Sequence, residues 1–392
     1  MKIVFLFPHF LSPGGAANVV LQFAKSLQSK NHQVEICCGK VSKKFRTNHP
    51  GIKFTELKIP PSNSIWYWLF FPFWQVRINR QLRNYENCIL FPQVLPSNWW
   101  AWIYKRKRHN EMVVWYCNEP SAFIHSTTWI NAIAVRAMKW GAKLLNPVLK
   151  RVDIALEKEN DLVICNSNFT ARQYQKIYNR NANAVIYPPL TIKMSYETDK
   201  ENYILTVGRL SKFKNVHFLI KAFNKLRKEL SETKLVIVGE GEVKKDLVQL
   251  ANRLKLEDRV IFKGNINDQK LAGLYQKARV TVICSHHEPF GLVPIESMMY
   301  GTPVIAHNSG GPQETIQHNN TGFLYNTESE LVQYIERIFE MDRHQYLQLQ
   351  QNCLKEAARY DVSKQVFKLE SILQSMIDKK AAAGNDNFLE RR

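Results

Sequence analysis

At 392 residues, with 45% hydrophobic and 22% charged side chains, the chain is long enough to bury two cores and too apolar for a disordered charged polymer. The net charge of +20 is uneven: residues 1–190 hold 25 Lys and Arg against 9 Asp and Glu, whereas residues 191–392 hold 29 against 25. No apolar run is long enough to span a bilayer, and the seven cysteines contain no C-x-x-C pair, so buried reduced thiols in a cytoplasmic protein are expected.

Lys2 to Phe7 reads as a buried parallel strand, Pro8 to Gly15 as a loop, Ala16 to Lys30 as an amphipathic helix and Gln33 to Cys38 as the next strand. Pro8-His9 cuts the first apolar run short, which favours a strand over an export signal. Gly14 and Gly15, before the helix, are candidates for a phosphate or acceptor loop, or equally for a tight turn.

The aromatic run Ile65 to Trp74 is followed by Arg77, Arg80 and Arg83, and Trp99-Trp100-Trp102 by Lys105-Arg106-Lys107-Arg108-His109. Each is either a core helix with a solvated basic edge or an interfacial segment, since tryptophan favours the headgroup level and arginine favours anionic lipid. Two such pairings in one half favour an anionic membrane surface as partner.

Cys88 to Leu95 and Met112 to Cys117 read as strands, the second ending in Asn118-Glu119-Pro120 where ligands meet open α/β sheets. Residues 128–160 read as helix broken at Asn146-Pro147, Leu162 to Cys165 as a strand, Asn166-Ser167-Asn168 as a helix cap and Ala184 to Tyr187 as a strand. Pro188-Pro189 and the polar connector Thr191 to Asn202 mark a domain boundary.

Beyond it, strands are expected at 203–207, 234–238, 259–263, 280–284 and 303–306, with helices starting near Asn215, Glu242, Asp268 and Leu292. The remainder is helical from Glu328 to about Lys380, interrupted near Tyr360-Asp361, with a disordered tail at 381–392. The fold class is α/β, with two doubly wound, Rossmann-like parallel sheets.

Chemistry concentrates at one edge of the second sheet. Gly208 and Arg209 leave a strand, and Lys214 follows, so two cations precede a helix where a diphosphate could sit. Gly239 ends the next strand. Pro294 is tolerated only in a first helical turn, so a helix begins near Leu292, with Glu288 in the loop before it and Glu296 inside it. The N–H groups around Phe290, Gly291, Leu292 and Val293 would face an anion. Gly310-Gly311 and Glu314 approach the same edge.

This ordered set, Gly208-Arg209-Leu210, Lys214, Glu288-x7-Glu296, Gly301-Thr302-Pro303 and Gly310-Gly311-x-x-Glu314, resembles the retaining glycosyltransferases of family 4, which have the GT-B fold. The resemblance is strong over 185–330 and looser over 1–185. It implies two domains facing a central cleft: an acceptor-side, membrane-associating domain at 1–190, joined by the helix around 362–380, and a nucleotide-sugar-binding domain at 191–360. It also implies that Arg209 and Lys214 neutralise the leaving diphosphate, that Glu288 contacts the transferred sugar and that Glu296 binds ribose hydroxyls, with Gly208, Gly239 and the 290–293 loop completing donor binding. No cofactor or metal is expected, since the chain has no Asp-x-Asp and fixed cations supply the charge.

Family members commonly carry a His on the acceptor side, where this chain has Asn118. Asn118 and Glu119 are therefore catalytic candidates, with His125 as a possible substitute. The motifs look particularly like mannosyltransferases that extend lipid-linked oligosaccharides. GDP-mannose is the first expectation as donor and a UDP-hexose the second. The expected acceptor is a glycan or a polyprenyl-diphosphate-linked glycan, and the expected location is the cytoplasmic membrane surface. A basic nucleic-acid-binding protein is the rival from another class, and it explains none of the glycine or carboxylate motifs.

Overall fold

A computed structural model describes the backbone of every residue except 12–13, 63, 108–110, 126–135, 193–194 and 390–392, and the side chains of those residues apart from 65, 122–123, 136–140, 142 and 381–389. Arg108, His109, residues 128–135 of the expected helix and the last three residues of the expected tail thus lie outside the described set. The chain divides into two compact units, Met1–Leu190 with Val362–Arg392, and Thr191–Asp361.

The first unit is built on seven parallel strands in the order β3-β2-β1-β4-β5-β6-β7. They are β1 (Lys2–Phe10), β2 (Gln33–Val41), β3 (Lys53–Glu56), β4 (Ile89–Pro92), β5 (Met112–Cys117), β6 (Leu162–Cys165) and β7 (Ala184–Val185). β4 and β5 are buried along their whole length, as a sheet covered on both faces requires. β1 continues past Pro8 to Phe10, correcting the expected loop: His9 and Phe10 stay in register with Lys40 and Val41. The helix Arg136–Glu157 runs unbroken through Pro147, correcting the expected break. Pro147 costs that helix one backbone hydrogen bond, while the Asn146 side chain fixes the turn by donating to the Ile124 carbonyl at 2.8 Å.

Trp99, Trp100 and Trp102, on the helix Ser97–Lys107, are not interfacial. They are buried, at 5%, 1% and 0% exposure, and form the centre of the unit's core with Trp115 and Tyr174. Each indole N–H finds an acceptor or hydroxyl: Asp153 at 2.6 Å, the Tyr67 hydroxyl at 2.7 Å and Asn160 at 2.7 Å. Burying side chains of this size stabilises by about 1.5–3 kcal/mol each, provided the N–H is satisfied. Lys105 and Arg106 pair with Asp161 and Glu159 at 2.5 and 3.6 Å, so this second pairing of tryptophan with cations is a core helix with a compensated edge.

The second unit has six parallel strands in the order β10-β9-β8-β11-β12-β13: β8 (Glu201–Val207), β9 (Lys234–Val238), β10 (Val260–Gly264), β11 (Ala278–Ile283), β12 (Val304–His307) and β13 (Gly322–Tyr325). β13, four residues after an Asn-Asn-Thr turn, is a strand the sequence did not predict. Helices Val216–Asn224, Lys244–Arg253, Asp268–Lys277 and Leu292–Met298 link these strands.

The C-terminal helix Val362–Leu389 belongs to the first unit. Glu370 accepts from Lys30 and, at 2.7 Å, from His32, and the Val362 N–H donates to the Leu190 carbonyl at 2.8 Å. The helix carries the backbone through 381–389, where disorder was expected, and the run Ala381-Ala382-Ala383 is the strongest helix-forming composition available.

Candidate active site

The strands of the second unit all run the same way, so β8, β9, β11 and β12 deliver their following loops to one edge. At the end of β8 the chain turns through Gly208 and Arg209 into a short 3-10 turn, Lys212–Lys214, and then into the helix from Val216. The Gly208 N–H still donates to the Val238 carbonyl at 3.0 Å. Gly239, at φ +132, lies against it so closely that a Cβ there would come within 1.9 Å of the Gly208 oxygen. Close approach of two loop backbones is what demands glycine at this position.

At the end of β11 the chain passes Ser285, His286 and His287 to Glu288, then Gly291 at φ +86 opens the helix Leu292–Met298. Pro294 falls in the first turn, where its missing N–H costs nothing. The loop after β12 clamps this stretch: the Gly311 N–H donates to the Glu288 carbonyl at 2.7 Å, and a Cβ on Gly310 would lie 2.4 Å from that same oxygen. Gly310-Gly311 thus does come to this edge, but the Gly311 donor is spent on holding the Glu288 loop.

Lys214 and Glu288 meet in the pocket at this edge. The Lys214 ammonium lies 2.7 Å from each Glu288 carboxylate oxygen, and the Ser285 hydroxyl donates to one of them at 2.7 Å. Gly208, Arg209, Ser285, Gly291 and Val293 line the same pocket. Burial pushes the Glu288 carboxyl upward, yet the Lys214 charge and the hydrogen bonds from Lys214 and Ser285 outweigh it and hold the group below the ordinary carboxylate range. Arg209 stands at the rim, 77% exposed and 3.6 Å from Glu242.

Glu296 has different surroundings from Glu288. Its carboxylate accepts from the Tyr275 hydroxyl at 3.1 Å, on the helix Asp268–Lys277. Burial raises its pKa, Asp268 adds to the rise, and the Tyr275 hydrogen bond opposes it. The Phe290 side chain is buried, with its ring against Tyr360, so only the backbone of that residue is available to a ligand.

Three groups at this edge were not predicted. Ser285 could have been found as the first polar residue after an apolar strand. Tyr275 could not, because a tyrosine on an amphipathic helix reads as core. The third is the pair His286 and His307, whose rings stack at 3.8 Å.

In the first unit, Asn118 directly follows β5. Its side chain donates to Gln93 at 2.9 Å, and its carbonyl accepts from Asn166 at 2.8 Å, which gathers three amides at the ends of β4, β5 and β6. Glu119 is exposed beside them. His125 is bound elsewhere: its Nε2 lies 2.9 Å from Asp153, a fully buried carboxylate that also accepts from Trp99, Ser121 and Tyr178. That network fixes the core and leaves His125 in a packing role. Gly14 caps the helix Gly15–Ser29 in an extended conformation, with no heavy atom within 4 Å of where a Cβ would sit.

Comparison with known proteins covers both units. The family described as Glycosyltransferase Family 4 matches residues 13–192, and Glycosyl transferases group 1 matches residues 191–359. The alpha-1,3/1,6-mannosyltransferase ALG2 of Yarrowia lipolytica is 26% identical over 273 residues, 57% of this chain and 59% of the relative. The GDP-Man:Man(3)GlcNAc(2)-PP-Dol alpha-1,2-mannosyltransferase of Dictyostelium discoideum is 26% identical over 254 residues, 59% of this chain and 50% of the relative. The chain thus spans between half and three-fifths of these two curated relatives. Among solved structures, Anabaena HepE, in complex with UDP-glucose, superposes with a TM-score of 0.76 at 22% identity over 96% of this chain and 100% of HepE.

Proposed function

Since the chain belongs to glycosyltransferase family 4, with the GT-B fold, we propose that it moves a hexose from GDP-mannose to a glycan acceptor with retention of anomeric configuration and without a metal. The acceptor is a lipid-linked glycan, used at the cytoplasmic face of a membrane. The observation that carries the reading is the Lys214–Glu288–Ser285 cluster, beside Arg209 at the end of β8.

The Lys214 charge is balanced by Glu288. An arriving diphosphate offers Lys214 a second anionic partner, and Arg209, exposed at the rim, closes on the same oxygens. Glu288, relieved of part of its ion pair, accepts hydrogen bonds from the hydroxyls of the sugar. Glu296 accepts from the ribose, and the backbone at 290–293 donates to phosphate. As the acceptor hydroxyl bonds to the anomeric carbon on the face from which the diphosphate departs, its proton passes to a departing phosphate oxygen, the bond to the diphosphate breaks and the nucleoside diphosphate leaves with the electron pair. Charge grows on the phosphate oxygens in that step, and fixed cations stabilise it at no cost of reorganisation. The resemblance to GDP-mannose-dependent relatives supports mannose as the sugar.

A thermal-shift screen against GDP-mannose, UDP-glucose, UDP-galactose and UDP-GlcNAc tests the donor, because a ligand of the folded state raises its melting temperature. GDP-mannose is expected to give the largest rise. A rise with a UDP-sugar alone would replace mannose by that sugar. Release of GDP only when acceptor is present then tests transfer.

A further inference from the structure

Among the described residues, thirteen large hydrophobic side chains are exposed, and nine of them lie in two segments of the first unit. On the helix Ile65–Leu69 and the start of the helix Phe71–Leu82 they are Trp66, Leu69, Phe70, Phe73 and Val76, between 43% and 71% exposed. Trp66 and Phe70 stack at 6.2 Å, and Phe70 meets Phe73 at 6.1 Å, so the aromatic rings form one continuous ridge. Arg77, Arg80 and Arg83 continue that solvent face at three-residue spacing. On the helix Arg136–Glu157 the outward face carries Leu144, Leu145, Val148 and Val152, flanked by exposed Lys143 and Arg151. A solvent face of a helix is ordinarily polar, and these two are apolar with a basic border.

The sequence around them is one-sided in charge. From Glu56 to Glu86 no acidic residue intervenes, while Lys58, Arg77, Arg80 and Arg83 do. From Glu119 to Asp153 none intervenes either, while Arg136, Lys139, Lys143, Lys150 and Arg151 do. Both segments are held firmly by the tryptophan helix Ser97–Lys107: Trp100 donates to Tyr67 at 2.7 Å, and Trp99 donates to Asp153 at 2.6 Å. The apolar residues are therefore presented by a rigid support.

We propose that these two faces dock the protein on an anionic lipid bilayer, with Trp66, Phe70 and Phe73 entering the headgroup region and Arg77, Arg80, Lys143 and Arg151 meeting lipid phosphates. The inference rests on the reading of a lipid-linked acceptor for its purpose, and on these exposed side chains for its place. Charge decides between occupants. A second copy of the chain would bring two faces bordered by cations together, which is repulsive, whereas an anionic headgroup layer neutralises them. Single-stranded nucleic acid would use the aromatic rings and the cations but has nothing to offer Leu69, Val76, Leu144, Leu145, Val148 and Val152, which acyl chains solvate. The location also differs from the one the sequence favoured equally, since Lys105 and Arg106 are ion-paired over a buried tryptophan cluster.

Co-sedimentation of the full chain with phosphatidylcholine vesicles, with and without added phosphatidylglycerol, tests it. Binding is expected only to the anionic vesicles. The pair Arg77→Gln and Arg80→Gln, which disturbs no buried contact, should weaken it by about fivefold per cation. Trp66→Ala with Phe73→Ala should weaken it by about tenfold or more. Lys105→Gln with Arg106→Gln should leave it unchanged. Binding by the Arg77/Arg80 and Trp66/Phe73 variants equal to that of the parent protein, absence of binding by the parent protein, or loss of a concentration-dependent dimer in the same variants would overturn the proposal. The GDP-mannose thermal shift is measured in parallel. If it is absent while vesicle binding responds as expected, the donor reading fails and the docking surface stands.

Discussion

The two units end their parallel strands in opposite chemistry. In the second unit the edge holds full charges in contact: Lys214 against Glu288, with Arg209 at the rim. In the first unit the edge holds three amides, Gln93, Asn118 and Asn166, linked by hydrogen bonds, with the Glu119 carboxylate exposed beside them. That unit also buries a carboxylate with its histidine, but places them under the tryptophan helix as Asp153 and His125, where they serve the fold. On the proposed reading, charge stabilisation, which a departing diphosphate needs, falls to the edge of the second unit, and hydroxyl orientation falls to the edge of the first.

If that division holds, the largest loss follows from the charged edge. Glu288→Ala is expected to lower kcat on the order of 10²–10³-fold, the scale of removing one group that acts on the reacting centre. The fold should persist, because Glu288 sits in a loop held through its backbone by Gly311. Unchanged turnover would move the chemistry elsewhere. Lys214→Ala comes next. A charge-assisted contact is worth about 1.5–3 kcal/mol, so donor affinity measured by calorimetry should weaken about 10- to 100-fold. An unaltered donor Kd would remove Lys214 from the diphosphate. At the amide edge, Asn118→Ala should raise the acceptor KM about 3- to 10-fold, one ordinary hydrogen bond, with the donor Kd untouched. A large fall in kcat there would mean that the amide edge stabilises the transition state and that the division is wrong.

Much of the charged edge was legible before any coordinates. Strand periodicity, Pro294 at a helix start and the Gly208–Arg209 turn are local signals, and local signals survive into the fold. What they could not convey is pairing. Lys214 and Glu288 are 74 residues apart, and only the order of β8 beside β11 brings them to 2.7 Å. The two tryptophan segments make the same point more sharply. Residues 65–83 and 99–109 share a pattern of aromatics followed by cations, yet one exposes Trp66 at 61% and the other buries Trp102 at 0%. Acceptors for the indole N–H decide it, since Asp153 and Asn160 come from residues more than 50 positions downstream. β13 was missed because Gly322-Phe323-Leu324-Tyr325 opens on glycine and carries no β-branched residue, unlike the equally short strands expected at 162–165 and 303–306.

The smallest effect expected separates the two carboxylates of the second unit, Glu288 and Glu296, by the sign of their pH dependence. Glu288 titrates below its ordinary value near 4.5, because Lys214 and Ser285 overcome the effect of burial. Its contribution to stability is therefore complete above that ordinary value and is lost as the pH falls through the depressed one. Glu296 titrates above its ordinary value, with burial leading and Asp268 adding. Its neutral form favours the folded state, so its contribution is complete below the ordinary value and is lost as the pH rises through the elevated one. Melting temperatures across an acid series should accordingly show Glu288→Gln less stable than the parent protein near neutrality and converging with it in acid, whereas Glu296→Gln converges with it in acid and gains on it toward neutrality. Parallel curves for the two variants would mean that the Lys214 ion pair does not distinguish them.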